Sequence, residues 1–207
     1  MKHTLISFIG LERCDIVYHY IKLVEKTGNE IVAIDNSCAK DFFKALAKDS
    51  GSEIYAETGN TPVSCNVGYS PDFYNQFDVA VCYHGMNIDK EIVEYSDYVF
   101  LCTDYSYACL SQLRELMEGI DKPVTMIYRD KVTKKISERT VDHTIHCNVK
   151  DRYILPFSDV DYASYITFSH NGIQSQKELS EDYKEMLALM ITQTMEVADK
   201  DARKLLK

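Results

Sequence analysis

The chain has 207 residues, of which 45% are hydrophobic and 27% charged, with no Trp, four Pro and eight Gly. That composition excludes disordered, collagenous and coiled-coil classes and suits a single globular domain. A net charge of −9 argues against nucleic acid or anionic lipid as a long-range partner.

Short apolar runs alternate with helical patterns from one end to the other. Strands are expected at Thr4 to Ile9, Glu30 to Ile34, Phe77 to Tyr83, Asp97 to Cys102 and Val124 to Tyr128, with a weaker one at Tyr153 to Leu155. Nearly every position in these runs is apolar, as a strand covered on both faces requires, so the sheet should be parallel. Between them, Asp15 to Lys26, Ser37 to Ala47, Ile88 to Tyr95 and Tyr107 to Met117 carry helical periodicity, and Ser180 to Leu206 reads as one long closing helix. The expected architecture is α/β, a doubly wound, mostly parallel sheet with helices on both faces. Two segments interrupt the alternation. Residues 53–70 read as an inserted hairpin or loop, and residues 131–150 carry the basic cluster Lys131, Lys134, Lys135 and Arg139.

The seven Cys form no CxxC pair and read as reduced thiols, because a chain this long needs no disulfide framework. No apolar stretch reaches the roughly 20 residues of a membrane span, and the opening MKHTLISFIG is too short for an export signal. A cytoplasmic location is expected.

In a doubly wound fold, ligands sit beyond the carboxyl ends of the strands, and the first such loop is Gly10-Leu11-Glu12-Arg13-Cys14-Asp15-Ile16-Val17. A phosphate-binding loop needs GxxxxGK[ST], with glycines for close backbone approach, a Lys for phosphate charge and a hydroxyl for magnesium. With Gly10 first, Asp15 stands at the second Gly, Ile16 at the Lys and Val17 at the hydroxyl. Glu12 and Asp15 also oppose a polyphosphate at a helix N-terminus, where Arg13 is the one cation. Asp15 itself reads as the N-cap of a helix beginning at Ile16.

Several runs resemble the ParA/MinD family of deviant P-loop ATPases: GNEIVAIDNS, with Asp35 closing the second strand; FDVAVCYHG, with Tyr83 where that family has a magnesium-associated Asp; SDYVFLCTD; PVTMIYRD; and the tail from ILPFSDVDYAS onward as a final strand, loop and long helix. Within that family the chain looks most like the CpaE/TadZ pilus-assembly and localisation branch. The resemblance implies a P-loop NTPase-like three-layer fold and a homodimeric protein that positions a pilus or secretion machine. It places a degenerate nucleotide loop at Gly10, Glu12, Arg13, Cys14 and Asp15, with Asp35 and Ser37 beside it, and a cleft lined by Tyr83, His84, Gly85, Asp104 and Arg129.

Other groups admit two readings each. Asp35 and Ser37 could hold magnesium or a polar ligand, or simply cap a strand-to-helix turn. His84 ends a central strand, as a catalytic base or a cleft-lining residue. His143 and His146 with Cys147 offer zinc-type donors but no second ligand cluster, so a solvated strand or loop is expected and no metal site. Cys14 or His84 could serve an unrelated enzyme. The Tyr near element ends, among them Tyr18, Tyr20, Tyr105, Tyr107, Tyr162, Tyr165 and Tyr183, favour protein partners as a group. Together these readings give a non-hydrolysing scaffold or localisation factor with no cofactor; the alternative is an atypical ATPase in which Arg13 and Asp35 handle Mg-ATP.

Overall fold

The computed structural model describes residues 3–50 and 56–207. The strands are β1 (Thr4–Gly10), β2 (Ile31–Asp35), β3 (Ala56–Thr58), β4 (Thr61–Cys65), β5 (Val79–Gly85), β6 (Tyr98–Thr103), β7 (Val124–Lys131) and β8 (Val149–Pro156). They form one sheet in the order β3-β4-β2-β5-β1-β6-β7-β8, parallel throughout except for β3, which runs antiparallel to β4. The expected doubly wound α/β architecture is therefore observed. The helices are α1 (Asp15–Glu25), α2 (Asp41–Ser50), α3 (Pro71–Tyr74), α4 (Lys90–Tyr95), α5 (Tyr107–Leu116), α6 (Glu138–Ile145), α7 (Asp159–Asn171), α8 (Glu181–Met195) and α9 (Asp199–Leu205). No helix of the described residues is long and apolar enough to cross a membrane.

Strand alternation divides the core in two. Ile6 and Phe8 of β1 pack with α1, α2, α7, α8 and α9 through residues such as Ile21, Phe42, Phe168 and Leu187. Leu5 and Ile9 face the opposite layer, where Tyr74, Ile92, Leu113 and Val141 represent α3 to α6.

The structure bears out one sequence expectation with an addition and corrects three others. The interruption at 53–70 contains the β3–β4 hairpin, and β4 also joins β2 in parallel and extends the sheet; residues 53–55 lie outside the described residues. His143 to His146 belong to the end of α6 and its left-handed cap (His146 φ 59°, ψ 43°) rather than to a strand or loop. That helix buries only Val141 and Ile145, so its sequence mimics alternation. The tail expected to pass from strand through loop into one helix instead forms α7, which lacks a segregated polar face, and then two helices broken at Glu196 (φ 54°). The expected Ser37 helix start moves to Asp41, because Lys40 is left-handed (φ 53°).

At the carboxyl end of β1, Gly10 has φ +104°, and a Cβ there would lie 2.1 Å from the Cys102 carbonyl oxygen of β6. The Leu11 N–H donates to that same oxygen at 2.9 Å, so this glycine lets β1 and β6 close upon each other. Gly10→Ala is expected to lower the unfolding free energy by at least about 2 kcal/mol. Denaturant unfolding measures it, and an unchanged midpoint would show that the backbone relaxes at no cost.

Candidate functional site

The loop from Gly10 to Cys14 carries the chain from the central strand into α1, and its side chains point to very different environments. Asp15 is fully buried. Arg129, near the end of β7 and 1% exposed, donates from Nη1 to both Asp15 oxygens at 3.0 and 3.1 Å, and the Tyr183 hydroxyl of α8 donates to Oδ2 at 2.9 Å. The Arg129 guanidinium also stands 5.2 Å from the Tyr183 ring centroid. Burial alone would lower the pKa of Arg129, but Asp15 and its neighbours outweigh burial and hold it above the ordinary arginine value. Asp15 is thus the first helical residue and not the N-cap expected from sequence. Cys14 takes the cap position without a side-chain hydrogen bond, because the Asp15 carboxylate is drawn to a buried cation that would otherwise stand uncompensated.

Arg13 closes over this pair. Its Nε lies 3.8 Å from Asp15 Oδ1, its Nη1 donates to Asp130 Oδ2 at 3.2 Å, and its guanidinium stacks 4.1 Å from the Tyr165 centroid and 5.4 Å from that of Tyr162, both on α7. Such cation–π contacts gain strength when desolvated.

On the other flank, Asp35 ends β2 fully buried. Its Oδ1 accepts from the Ser37 N–H (3.0 Å) and hydroxyl (2.6 Å), and its Oδ2 accepts from the Phe43 N–H of α2 (2.9 Å). Burial raises its pKa, partly offset by those hydrogen bonds. Asp35 and Ser37 therefore fasten the β2–α2 turn. Glu12 is exposed, and partial burial with Asp41 and Asp35 nearby pushes its carboxyl up. Burial, then Asp41 and Asp15, push the Cys14 thiol well above its ordinary value, opposite to the lowered pKa of a reactive thiol.

Tyr83 is 2% exposed and its hydroxyl has no partner among the described residues. Gly85 (φ +55°) brings the backbone so close that a Cβ would meet Ser37 at 3.1 Å and Glu12 at 3.4 Å. His84 points to the opposite face by strand alternation. It is fully buried, its Nε2 is 3.1 Å from Ser7 Oγ, and its Nδ1 accepts from the Asp89 N–H at 3.4 Å. This corrects both sequence readings of His84, because a histidine sealed under β1 neither lines a cleft nor reaches a substrate. Arg129 is likewise an interior residue. Asp104 accepts from the Ser106 N–H (2.8 Å) and hydroxyl (2.7 Å) in the turn before α5.

The sequence reading grouped Tyr183 with partner-facing tyrosines, whereas it is fully buried and donates to Asp15, and it missed the Arg129–Asp15 partnership. The available signal was an Arg inside the otherwise apolar strand MIYRD, since a buried guanidinium demands a carboxylate.

Arg13, Cys14, Asp15, Ile16 and Val17 are each at most 9% exposed, so the N-terminus of α1 is sealed. The Leu11 and Arg13 N–H groups are spent on the Cys102 and Leu11 carbonyls, and both arginines are engaged by carboxylates. Among the described residues, no three His, Cys, Asp or Glu side chains are placed to hold a metal ion.

No family model matches the chain, and no curated protein matches it. Solved structures do. The chain is similar to a ParA family ATPase from Chlorobium tepidum TLS, with 12% identity and a TM-score of 0.56 over 82% of this chain and 90% of that one. The fold is that of the ParA/MinD ATPases. A second likeness, to the MinC:MinD cell division protein complex of Aquifex aeolicus, has 10% identity and a TM-score of 0.55 over 98% of this chain and 96% of that one. On this ParA/MinD-type fold, Asp15 and Arg129 pack beneath the first strand-to-helix loop.

Two outcomes test the site. Asp15→Asn leaves Arg129 charged and unpaired, and should cost about 3–5 kcal/mol of unfolding free energy, much of it recovered when Arg129 is also replaced by Met. A loss below about 1 kcal/mol would remove the ion pair from its central place. Separately, burial holds His19 and His84 down to about 4, against an ordinary value of 6.5. Both are neutral when folded and bind protons first when unfolded, so their contribution to stability is complete above pH 6.5 and is lost as pH falls toward 4. Each histidine should cost on the order of 2 kcal/mol at pH 5. Urea unfolding at pH 7 and pH 5 measures it, and equal stabilities would contradict the assignment.

Proposed function

We propose that this chain is a single-domain, cytoplasmic, ParA/MinD-type protein that has given up nucleotide hydrolysis and works as a homodimeric scaffold or localisation factor. The narrower role is that of the CpaE/TadZ branch, positioning a pilus or secretion assembly. One observation carries the reading: the carboxylate of Asp15, at the place of a P-loop glycine, is buried against Arg129 and Tyr183. A negative charge fixed at a sealed helix N-terminus repels the phosphates that an open, glycine-lined one would attract. The two side chains that an atypical ATPase would use are engaged elsewhere, Arg13 by Asp130 and Tyr165 and Asp35 by Ser37 and Phe43. A structure of this fold in a MinC:MinD complex lends support to a role carried by protein contacts.

Thermal unfolding with and without millimolar Mg-ATP or Mg-ADP tests the proposal. A ligand at 100 times its dissociation constant stabilises the native state by about 2.7 kcal/mol, so the expected result is no shift in midpoint. A shift that disappears in Arg13→Ala and in Asp35→Asn would replace this reading with Mg-ATP binding by those residues.

A further inference from the structure

The Tyr83 hydroxyl is buried and makes no hydrogen bond with a described residue. A buried polar group without a partner costs stability, and folded proteins leave few of them. Tyr83 stands near the end of β5 on the side covered by α1 and α2, with its ring 6.5 Å from that of Phe42. Besides burial, the groups that act on its hydroxyl are Asp41, the Cys14 thiol, Asp35 and Glu12. The orphan oxygen is thus aimed at a cluster of acids.

Two of those acids have no counter-charge. Glu12 is exposed and makes no hydrogen bond or ion pair with a described residue, and half-buried Asp41 makes no ion pair with one. They meet around Gly85. A Cβ on that glycine would lie 3.5 Å from Glu12 Oε1 and 3.1 Å from Ser37 Cβ, and the Ser37 hydroxyl donates to Asp41 Oδ1 at 3.2 Å. Burial, then Asp41 and Asp35, push the Glu12 carboxyl up. The neighbouring cations are committed elsewhere: Lys40 donates to the Asp35 carbonyl oxygen at 3.1 Å, and Arg13 is held by Asp130 and Tyr165.

We propose that Glu12, Asp41 and the Tyr83 hydroxyl form a recess for an organic cation, an ammonium or guanidinium group, whose charge faces the two carboxylates and one of whose N–H groups donates to the Tyr83 oxygen. An anion in the same place would be repelled by every carboxylate around it. An ammonium or guanidinium carries several N–H donors on one centre, so it reaches acceptors too far apart to share a metal ion. That matches a cluster in which no three described His, Cys, Asp or Glu side chains are placed to hold a metal. Glu12, exposed and unpaired, is free to turn aside as the cation enters and to close on it afterwards. Two sources supply this chemistry, a Lys or Arg side chain presented by a protein and a free amine. The inference goes beyond the scaffold reading, and its test uses no nucleotide.

The probes are Gly/Ser peptides with one central Arg or Lys, and free argininamide and spermidine, titrated into the full chain carrying isotope-labelled tyrosine. The readout is the Tyr83 ring resonance, identified by its loss in Tyr83→Phe. A saturable shift of that resonance is expected, absent with peptides in which citrulline replaces Arg or acetyl-lysine replaces Lys. Glu12→Gln and Asp41→Asn should each weaken binding about fivefold. Tyr83→Phe, which removes an unpartnered oxygen and nothing else, should leave the thermal midpoint of the free chain unchanged or higher. Tighter binding of a peptide than of the free amines assigns the cation to a protein, and the reverse order assigns it to a free amine. The proposal is overturned by an unmoved Tyr83 resonance with every probe, by equal shifts with the neutral peptides, by a lowered midpoint in Tyr83→Phe, or by calorimetric binding of magnesium chloride that Glu12→Gln and Asp41→Asn abolish. If the probes fail while Mg-ATP still gives no thermal shift, the recess falls and the scaffold reading stands.

Discussion

The Asp15 carboxylate, shut away from water between Arg129 and Tyr183, fixes how three parts of the chain meet. It joins the start of α1 to the end of β7 and to the first turn of α8, which lie far apart in sequence. A buried charge pair recovers its desolvation penalty only when geometry and further hydrogen bonds are good, and here both carboxylate oxygens are satisfied and the guanidinium lies against an aromatic ring. The positive end of α1 adds a favourable field to the same carboxylate. Once this pair is in place, the helix N-terminus is closed and Arg13 can pack over it against α7.

The arrangement divides the charge at the carboxyl edge of the sheet. Arg13 and Arg129 are consumed inside, while Glu12 and Asp41 remain toward solvent beside the buried Asp35. In the first loop the Leu11 and Arg13 N–H groups donate to the Cys102 and Leu11 carbonyls, and Arg13 and Arg129 face carboxylates. Burial lowers the pKa of His19 and His84 to about 4 and raises that of the Cys14 thiol.

The sheet was legible from short runs because a strand buried on both faces leaves no other pattern. VAVCY and VFLCT could be placed without knowing their neighbours. Helix α7 was not legible: its outward face is as apolar as its inward one, so VDYASYITF shows no single stripe. Helix α6 was hidden for the opposite reason, having only Val141 and Ile145 to bury. At the site, the departure from the GxxxxGK[ST] pattern could be read from Asp15, Ile16 and Val17. The assignment of Asp15 as a helix cap was wrong, because capping preference describes a local competition and Arg129 enters from outside it. His84 was misplaced more simply, since its face depends on the register by which β5 enters the sheet.

The sequence by itself determined the alternation of strands and helices, the parallel sheet and the lack of a GxxxxGK[ST] motif after the first strand, all of which follow from local patterns of residues. Only the tertiary structure decided that Asp15 meets Arg129, 114 residues away, and Tyr183, 168 residues away. Which buried charges meet depends on which strands lie side by side and where the last helices land, and no local run of residues encodes that distance.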